Sequence, residues 1–217
     1  MSLIDLTLPS NESAPGREPF QTEEMKISNS AGAFTGIIHH FRHNSMVGTY
    51  IDFPSHVKEN DDGSDANNYP PEKVFRVSAA VIHLDRASGS GKIGAAELAA
   101  ACPDWNQGGA LILNALGKRR FDQIAGQSVY LGREAVSWIS RKRFHLLVSD
   151  VYESKADPQH VFPDLFRNGV STVCCPVNLH LLTEPGFRVT VLFPRFIGAT
   201  QLPCRVLVET AGGNHDE

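Results

Sequence analysis

The stretch "MVGTYIDFPSH", residues 46–56, combines an extended apolar pattern with residues that can exchange protons. Side chains alternate along a strand, so Met46, Tyr50 and Asp52 are predicted to share one face, opposite Ile51. One face is then apolar and suited to a sheet interior, while the other carries the polar chemistry. The stretch therefore predicts a buried strand that presents a carboxylate on one side.

The end of this strand brings a histidine close to the aspartate. Pro54 cannot donate to a sheet ladder, so it is predicted to end or bend the strand and to leave His56 at its mouth. Imidazole titrates near neutrality and a carboxylate can fix its tautomer, so Asp52 and His56 form a candidate proton-transfer pair. A capping aspartate beside a surface histidine is the structural alternative.

Strand-like runs recur along the chain and outnumber helical ones. Helices are predicted at 94–102, at 132–143 and, as a short turn, near "FPDLFRNG". Together these elements predict a mixed α/β fold with a large sheet or open barrel. The predicted strands cover residues 3–8, 34–41, 46–53, 77–84, 110–116, 145–151, 170–177, 188–194 and 204–209.

Size and charge narrow the class of protein. The 217 residues fit a single domain over 1–217, and the formal net charge of -4 gives no attraction to nucleic acid or an anionic membrane. The chain has neither a start of signal-peptide character nor an apolar run of membrane-spanning length, so we expect a cytoplasmic protein. A small molecule is the expected partner.

The cysteines show no zinc or disulfide spacing. Cys102, Cys174, Cys175 and Cys204 contain no C-x-x-C pair, and the adjacent two are predicted on opposite faces of a strand. We expect them to be buried small hydrophobic residues.

The stretch "SGSGK", residues 88–92, lies between a predicted strand and helix, as a phosphate-binding loop would. It departs from that motif because Arg86 stands where the first glycine is needed and Ile93 where a serine or threonine would hold magnesium. A strand-to-helix turn is therefore predicted.

The run "GTYIDFPSH" resembles the H-x-G-T-H-x-D-x-P-x-H signature of the metal-dependent cyclase family, which includes bacterial kynurenine formamidases (arylformamidases) and isatin hydrolases. The segments "LIDLTLPS", "FHLLVSDVYESKADP" and "NGVSTVCCPVNL" resemble other parts of that family, so the likeness covers most of the chain. It implies a cyclase-like fold of the swivelling β/β/α type, with a mixed, strongly curved sheet, few helices and assembly as a homodimer or homotetramer. The matching motif positions are Gly48, Thr49, Asp52, Pro54 and His56.

The resemblance also implies zinc or manganese, held by two motif histidines, the motif aspartate and a later His and Glu. In this chain, four of these five ligand positions are occupied by Met46, Tyr50, Leu165 and Val177. Asp52 is therefore the one implied ligand that is retained. One carboxylate does not hold a divalent transition metal, so no cofactor is expected. The Tyr50 hydroxyl is predicted to occupy the emptied pocket, near the aspartate and the motif histidine.

Other histidines are candidate ligands of a relocated metal. His39 and His43 share strand parity with each other but not with the metal-facing positions, which favours a surface or interface role. Whether His39, His40, His160 and His180 form a relocated metal site stays open.

Three acidic residues belong to the late segment that resembles the family. Asp150, Glu153 and Asp157 match its acidic positions. A structural role in holding that loop is as well supported as a catalytic one.

Three functions follow, from different classes. One is a hydrolase of the arylformamidase type, as in tryptophan catabolism, acting on an amide, formamide or lactone. Another is a metal-independent lyase, isomerase or hydrolase in which His56 is the general base, Asp52 orients it and Tyr50 donates a hydrogen bond to an oxyanion. The third is a non-catalytic relative that binds a small molecule or a partner.

Overall fold

The computed structural model describes residues 2–9, 21–86, 91–183 and 186–210. The strands in these ranges are β1 Leu3–Asp5, β2 Gln21–Asn29, β3 Gly32–His40, β4 Tyr50–Asp52, β5 Val77–His83, β6 Gly91–Ile93, β7 Gly109–Asn114, β8 Val129–Leu131, β9 Phe144–Ser149, β10 Ser171–Cys174, β11 Phe187–Leu192, β12 Gln201–Pro203 and β13 Arg205–Thr210. The α-helices are α1 Ala95–Ala101, α2 Arg133–Arg141 and α3 Val161–Arg167. Within the described ranges, no helix combines the length and the apolar character that a membrane span needs.

One curled, mixed sheet of nine strands dominates the described chain, in the order β1-β13-β11-β5-β7-β9-β10-β4-β12. The neighbours β5, β7, β9 and β10 run parallel, and the other pairs are antiparallel. Parallel neighbours require crossover connections, and the three helices lie in those connections. The carboxyl ends of β5, β7 and β9 therefore meet at the same edge of the sheet.

Both faces of the central strands are buried. Leu111 and Leu147 pack with the helices on one face, while Ile112 and Val148 belong to a second apolar cluster on the other. Parallel strands covered on both faces need apolar residues at successive positions, which is why these strands appear in the sequence as continuous apolar runs.

The predicted α/β class with a curved sheet and few helices is confirmed. Every predicted strand and helix has a counterpart, in most cases with shorter ends. The strand predicted at 46–53 is wrong in its first half, because only Tyr50–Asp52 is extended and Gly48 adopts φ 64° in the turn before it. Of the turn predicted at 88–92, residues 88–90 lie outside the described ranges, and Gly91–Ile93 is the strand β6.

Four strands were not predicted: β2, β6, β8 and β12. The first of them forms an antiparallel hairpin with β3, and this hairpin is a sheet of its own in the described chain. Large apolar side chains of this hairpin are exposed to solvent, among them Phe34 (58% exposed) and Ile37 (63%). His39 and His40 lie on this hairpin and not on the strand that leads into β4. Alternation along one continuous strand therefore cannot relate the faces of these histidines to the face of Asp52.

Candidate functional site

The motif stretch is a turn, a short strand and a 3-10 turn in succession. Gly48 adopts the left-handed backbone conformation before β4. The Thr49 hydroxyl stabilises this turn by accepting a hydrogen bond from the Leu8 amide at 2.7 Å and donating one to the Cys175 carbonyl at 2.9 Å. Pro54 opens the 3-10 turn Pro54–His56, whose last residue is exposed. His56 therefore lies just beyond the end of β4, as predicted.

Strand pairing decides what surrounds Asp52. In the sheet register, Asp52 lies opposite Thr172 of β10 on one side and Gln201 of β12 on the other. Directly opposed residues on antiparallel strands present their side chains to the same face. The carboxylate, 3% exposed, is therefore enclosed by side chains from both neighbouring strands.

Both oxygens of Asp52 accept hydrogen bonds. The Gln201 side-chain amide donates to Oδ1 at 2.6 Å, and Oδ2 accepts from the Thr172 hydroxyl at 3.1 Å and the Cys174 thiol at 3.6 Å. Burial raises the pKa of Asp52, while the hydrogen bond from Gln201 and the charge of His56 act in the opposite direction. The carboxyl group is thus held in place by three donors.

Gln201 lies between Asp52 and His56. Its Nε2 is 2.6 Å from the carboxylate and 3.2 Å from His56 Nε2, and its Oε1 accepts a hydrogen bond from the Ser45 hydroxyl. With the amide N–H groups directed at Asp52 and His56, the imidazole Nε2 is an acceptor and Nδ1–H donates to Thr200 Oγ1 at 3.2 Å. The Gln201 side-chain amide therefore joins Asp52 to His56.

Tyr50 meets the site through a thiol. It lies opposite Cys174 in the register, and the Tyr50 hydroxyl interacts with the Cys174 sulfur, which in turn contacts Asp52. Burial, reinforced by Cys174, Cys175 and Asp52, raises the pKa of Tyr50. The phenol consequently keeps its proton and is a donor rather than a base.

A cavity of about 210 Å³ opens beside Tyr50. Aromatic side chains form much of its wall, and Asp150 and Glu153 also line it. Cys174 and Cys175 both reach this cavity, so the prediction of opposite strand faces for them is wrong: β10 ends at Cys174 and the next residue has φ 58°. Its aromatic lining residues are Tyr50, Phe121, Tyr152 and Phe162.

The cysteines are free thiols. Cys174 and Cys204 are buried, as predicted, whereas Cys102 and Cys175 are partly exposed. Burial and the nearby Asp52 raise the pKa of the Cys175 thiol to about 12, so it is not a thiolate at neutral pH.

The acidic residues of the late segment bind backbone amides. Asp150 accepts from the Ala115 and Leu116 amides, each at 2.9 Å, and burial raises its pKa to about 6. Glu153 accepts from the amides of Gln159 at 2.6 Å and Val161 at 2.8 Å, which anchors the start of α3. These contacts agree with the structural role weighed for the loop.

The last acid of the segment and the remaining histidines lie elsewhere. Asp157 is exposed and accepts from the Tyr130 hydroxyl at 2.6 Å. His40 pairs with Glu23 on the hairpin, and His160 precedes α3 with φ 64°. Across the described residues, no three His, Cys, Asp or Glu side chains converge as metal ligands would.

The side chains present around Asp52 do not fit a divalent cation. Its oxygens face an amide N–H, a hydroxyl and a thiol, all of them hydrogen-bond donors rather than ligands aimed at a common point. Met46 is 52% exposed on the turn before β4, and Leu165 is fully buried in the apolar core. Val177 donates its amide to the Leu6 carbonyl at 2.9 Å.

The residues that hydrogen-bond Asp52 could not be identified from the sequence. Gln201 is 149 positions from Asp52 and lies on a three-residue strand that carries no recognisable pattern. Thr172 and Cys174 fall within a predicted strand, but its register against β4 could not be deduced. Only strand pairing brings these residues to the carboxylate.

Comparisons with known proteins identify the family through a family model and the fold through solved structures. A family model described as "Putative cyclase" matches residues 4–154. Isatin hydrolase A from Labrenzia aggregata, in a structure bound to benzyl benzoate, is similar with a TM-score of 0.72 and 16% identity, over 95% of this chain and 93% of that one. Isatin hydrolase A from Ralstonia solanacearum is similar with a TM-score of 0.71 and 17% identity, over 95% of this chain and 91% of that one.

A further solved structure, described as a predicted metal-dependent hydrolase from Bacillus stearothermophilus, has a TM-score of 0.60 and 16% identity, over 95% of this chain and 97% of that one. No curated protein matches the chain significantly. The solved structures show a shared fold, and the family model covers well over half of the chain. The chain belongs to the cyclase family.

Proposed function

We propose that the chain is a hydrolase of a small amide, formamide or lactone, of the arylformamidase type, that works without a bound divalent cation. The residues that carry the proposed reaction are His56, Tyr50 and, in a positioning role, Asp52. The observation that carries the proposal is the hydrogen-bonded series Asp52–Gln201–His56–Thr200, in which a buried carboxylate and an exposed imidazole are held in fixed orientations by one amide.

The donor set around Asp52 is the reason for omitting a metal from the reaction. Hydrogen-bond donors already engage both carboxylate oxygens, and the predicted ligand positions carry a thioether, a phenol and two aliphatic side chains. The chemistry must then come from acid–base groups of the chain. His56 is the group with ready access to solvent.

In the proposed reaction, His56 Nε2 takes a proton from a water molecule, and the oxygen of that water forms a bond to the substrate carbonyl carbon. The Tyr50 hydroxyl donates to the resulting oxyanion, a role for which its raised pKa suits it. When the carbonyl reforms, the C–N or C–O bond breaks. The leaving nitrogen or oxygen then receives the proton from His56.

Asp52 has a positioning role in this scheme. Its Oδ1 orients the Gln201 amide, and that amide contacts the imidazole Nε2. Water or substrate must replace the Gln201 contact before Nε2 can accept a proton, because a neutral imidazole has one lone pair available. The exchange is local and leaves the Nδ1–H bond to Thr200 intact.

Turnover assays test the proposal directly. N-formylkynurenine, isatin and an activated aryl lactone are offered to the protein with and without a chelator. We expect hydrolysis of at least one of them, unchanged by the chelator, and a loss in kcat of about 10²–10⁴-fold for His56→Gln. Tyr50→Phe should lower kcat by about 10²–10³-fold.

A surface histidine provides the matched control. His40→Gln alters an exposed residue of the hairpin and should leave turnover unchanged. Chelator-sensitive hydrolysis, or full activity in His56→Gln, would contradict the metal-independent mechanism.

A second candidate, a non-catalytic relative that binds a small molecule, is favoured by one specific observation. Both ring nitrogens of His56 already have partners in the protein, so the imidazole offers no free lone pair. Absence of turnover on all three substrates, with one of them bound at the cavity beside Tyr50, would select this candidate over the hydrolase.

A further inference from the structure

A second polar recess lies where β5 and β7 end, apart from the Asp52–His56 cluster. It comprises a cavity of about 450 Å³ and an adjoining one of about 130 Å³ that share Asn114, Lys118, Arg119 and His180 among their lining residues. We call it the strand-end recess. Crevices at the carboxyl ends of parallel strands are common ligand sites in α/β folds.

The orientation of Asn114 at the base of this recess is fixed by its neighbour. His83 Nε2 lies 2.8 Å from the Leu182 carbonyl oxygen, which can only accept, so Nε2 carries the proton. In the neutral ring, Nδ1 is then an acceptor, and the Asn114 side-chain nitrogen, 2.9 Å away, must be the donor. The Asn114 oxygen is consequently directed away from His83.

That oxygen lacks a partner. Asn114 is 2% exposed, and its Oδ1 is the buried side-chain oxygen or nitrogen without a hydrogen bond within the described residues. Buried acceptors are nearly always satisfied, and leaving one unpaired costs free energy. Asn114 lines both cavities of the recess, so a ligand bound there is a candidate donor for this oxygen.

Positive charge surrounds the same recess. Lys118 and Arg119 are exposed on the loop after β7 and line both cavities, and no ion pair involves either of them in the described chain. Their neighbour Arg120 is instead paired with Asp122 at 2.6 Å. Among the described residues, the acidic groups that line the recess are Asp85 in the larger cavity and Asp150 in the smaller.

We propose that the strand-end recess binds a small organic anion that carries a hydroxyl or amine donor beside its charged group. The donor meets Asn114 Oδ1, and the anionic group meets Lys118 and Arg119. An α-hydroxy acid and an α-amino acid are the simplest ligands of this kind. Because Asp85 also lines the larger cavity, an ammonium donor gains a second favourable contact there.

Three ligands of matched size separate the contributions. L-alanine offers an ammonium donor with a carboxylate, L-lactate a hydroxyl with a carboxylate, and propionate the carboxylate alone. Titrations of the full chain, followed by NMR, should show L-lactate or L-alanine binding about tenfold or more tightly than propionate, since propionate leaves the Asn114 oxygen unpaired. Tighter binding of alanine than lactate would identify the ammonium as the preferred donor.

Variants tie the effect to the named residues. Asn114→Ala should reduce the affinities for lactate and alanine to that for propionate. The exposed pair Lys118→Ser and Arg119→Ser, which should not disturb folding, is expected to weaken binding of all three ligands by about tenfold or more. Lys26→Ser, which removes one charge from the distant hairpin, is the control and should have no effect.

Two outcomes would overturn the proposal. Propionate binding as tightly as the other two would mean that the Asn114 oxygen receives no ligand donor. Failure of all three ligands to bind at high millimolar concentration would mean that the recess is not a site for small organic anions.

Discussion

Two buried polar side chains of this sheet, Asp52 and Asn114, are held in opposite ways. Asp52 lies between two antiparallel neighbours, and side chains from both strands satisfy its oxygens. Asn114 ends a parallel strand, where its side-chain nitrogen donates to His83, its oxygen has no partner among the described residues, and the residue lines a cavity. Both residues end their strands, but Asp52 is paired with a neighbouring strand on each side, whereas Asn114 is paired with β5 alone, beyond the last β7–β9 pair. A side chain paired on both sides can be fully enclosed by protein, whereas one paired on a single side can be left for a ligand.

This contrast has a consequence for function. The Asp52 cluster is pre-organised, so its neighbours need not rearrange for Gln201 to orient His56. In the binding proposed for the strand-end recess, a ligand supplies the hydrogen bond that Asn114 Oδ1 lacks among the described residues. Substitutions should therefore affect the two regions differently, and stability measurements can separate them.

The largest effect is expected from Asp52→Ala. The change removes the acceptor for Gln201, Thr172 and Cys174 while the last two stay buried, and it should lower the free energy of unfolding by about 2–4 kcal/mol. Urea denaturation of the purified variant measures this directly. The rigid orientation of His56 should be lost together with the stability.

A carboxylate outside the sheet provides the comparison for that loss. Asp157→Ala removes an exposed aspartate that accepts one hydrogen bond, from Tyr130, and should cost less than about 1 kcal/mol. If the two variants were equally stable, the Asp52 hydrogen bonds would contribute nothing, and the contrast drawn between enclosed and open sites would fail.

Sequence patterns predicted the buried scaffold because burial produces them. The run "ALILN" is apolar at successive positions since β7 is covered on both faces, and α2 ends in basic residues. The strand β2, "QTEEMKISN", shows no apolar alternation because its faces are exposed and its partner β3 holds it extended. An exposed strand of this composition therefore escapes detection by hydrophobic periodicity, whereas its exposed partner β3 was predicted from its apolar residues.

The candidate site was predicted only as far as one strand reaches. The motif placed Tyr50 and Asp52 on one face, and the register agrees with this. Met46 was wrongly added to that face because the left-handed turn at Gly48 breaks the alternation. Gln201 and the unpaired oxygen of Asn114 depend on tertiary pairing, which no local pattern contains.

The next expected effect is a pH dependence of the unfolding free energy, caused by Asp150. Asp150 lines both the cavity beside Tyr50 and the strand-end recess, and burial raises its pKa from 3.8 to about 6. Since the folded state binds this proton more tightly, the resulting stabilisation is complete below the unfolded pKa and is lost as pH rises through about 6. Relative to Asp150→Asn, the wild type should lose about 1–3 kcal/mol between about pH 4 and pH 7.

Unfolding free energies of both proteins across that pH range measure the effect. Asp61→Asn, at an exposed loop position, is the control, and its difference from the wild type should not follow the same pH dependence. A wild-type to Asp150→Asn difference that is constant with pH would show that the Asp150 carboxyl titrates normally. Asp150 would then carry a full charge beside both cavities at neutral pH.

The smallest effect, and the most direct comparison of the two regions, comes from replacing each amide by leucine. Gln201→Leu removes the donor to Asp52 and to His56 and the acceptor for Ser45, so it should cost about 1–3 kcal/mol. Asn114→Leu loses one bond to His83 but also removes an unpaired buried oxygen, and these terms oppose each other. Its expected cost is therefore below about 1 kcal/mol, measured by the same urea denaturation. A larger loss for Asn114→Leu than for Gln201→Leu would show that the Asn114 oxygen is satisfied in the free protein, because removing an unpaired acceptor cannot weaken the fold more than removing three formed hydrogen bonds.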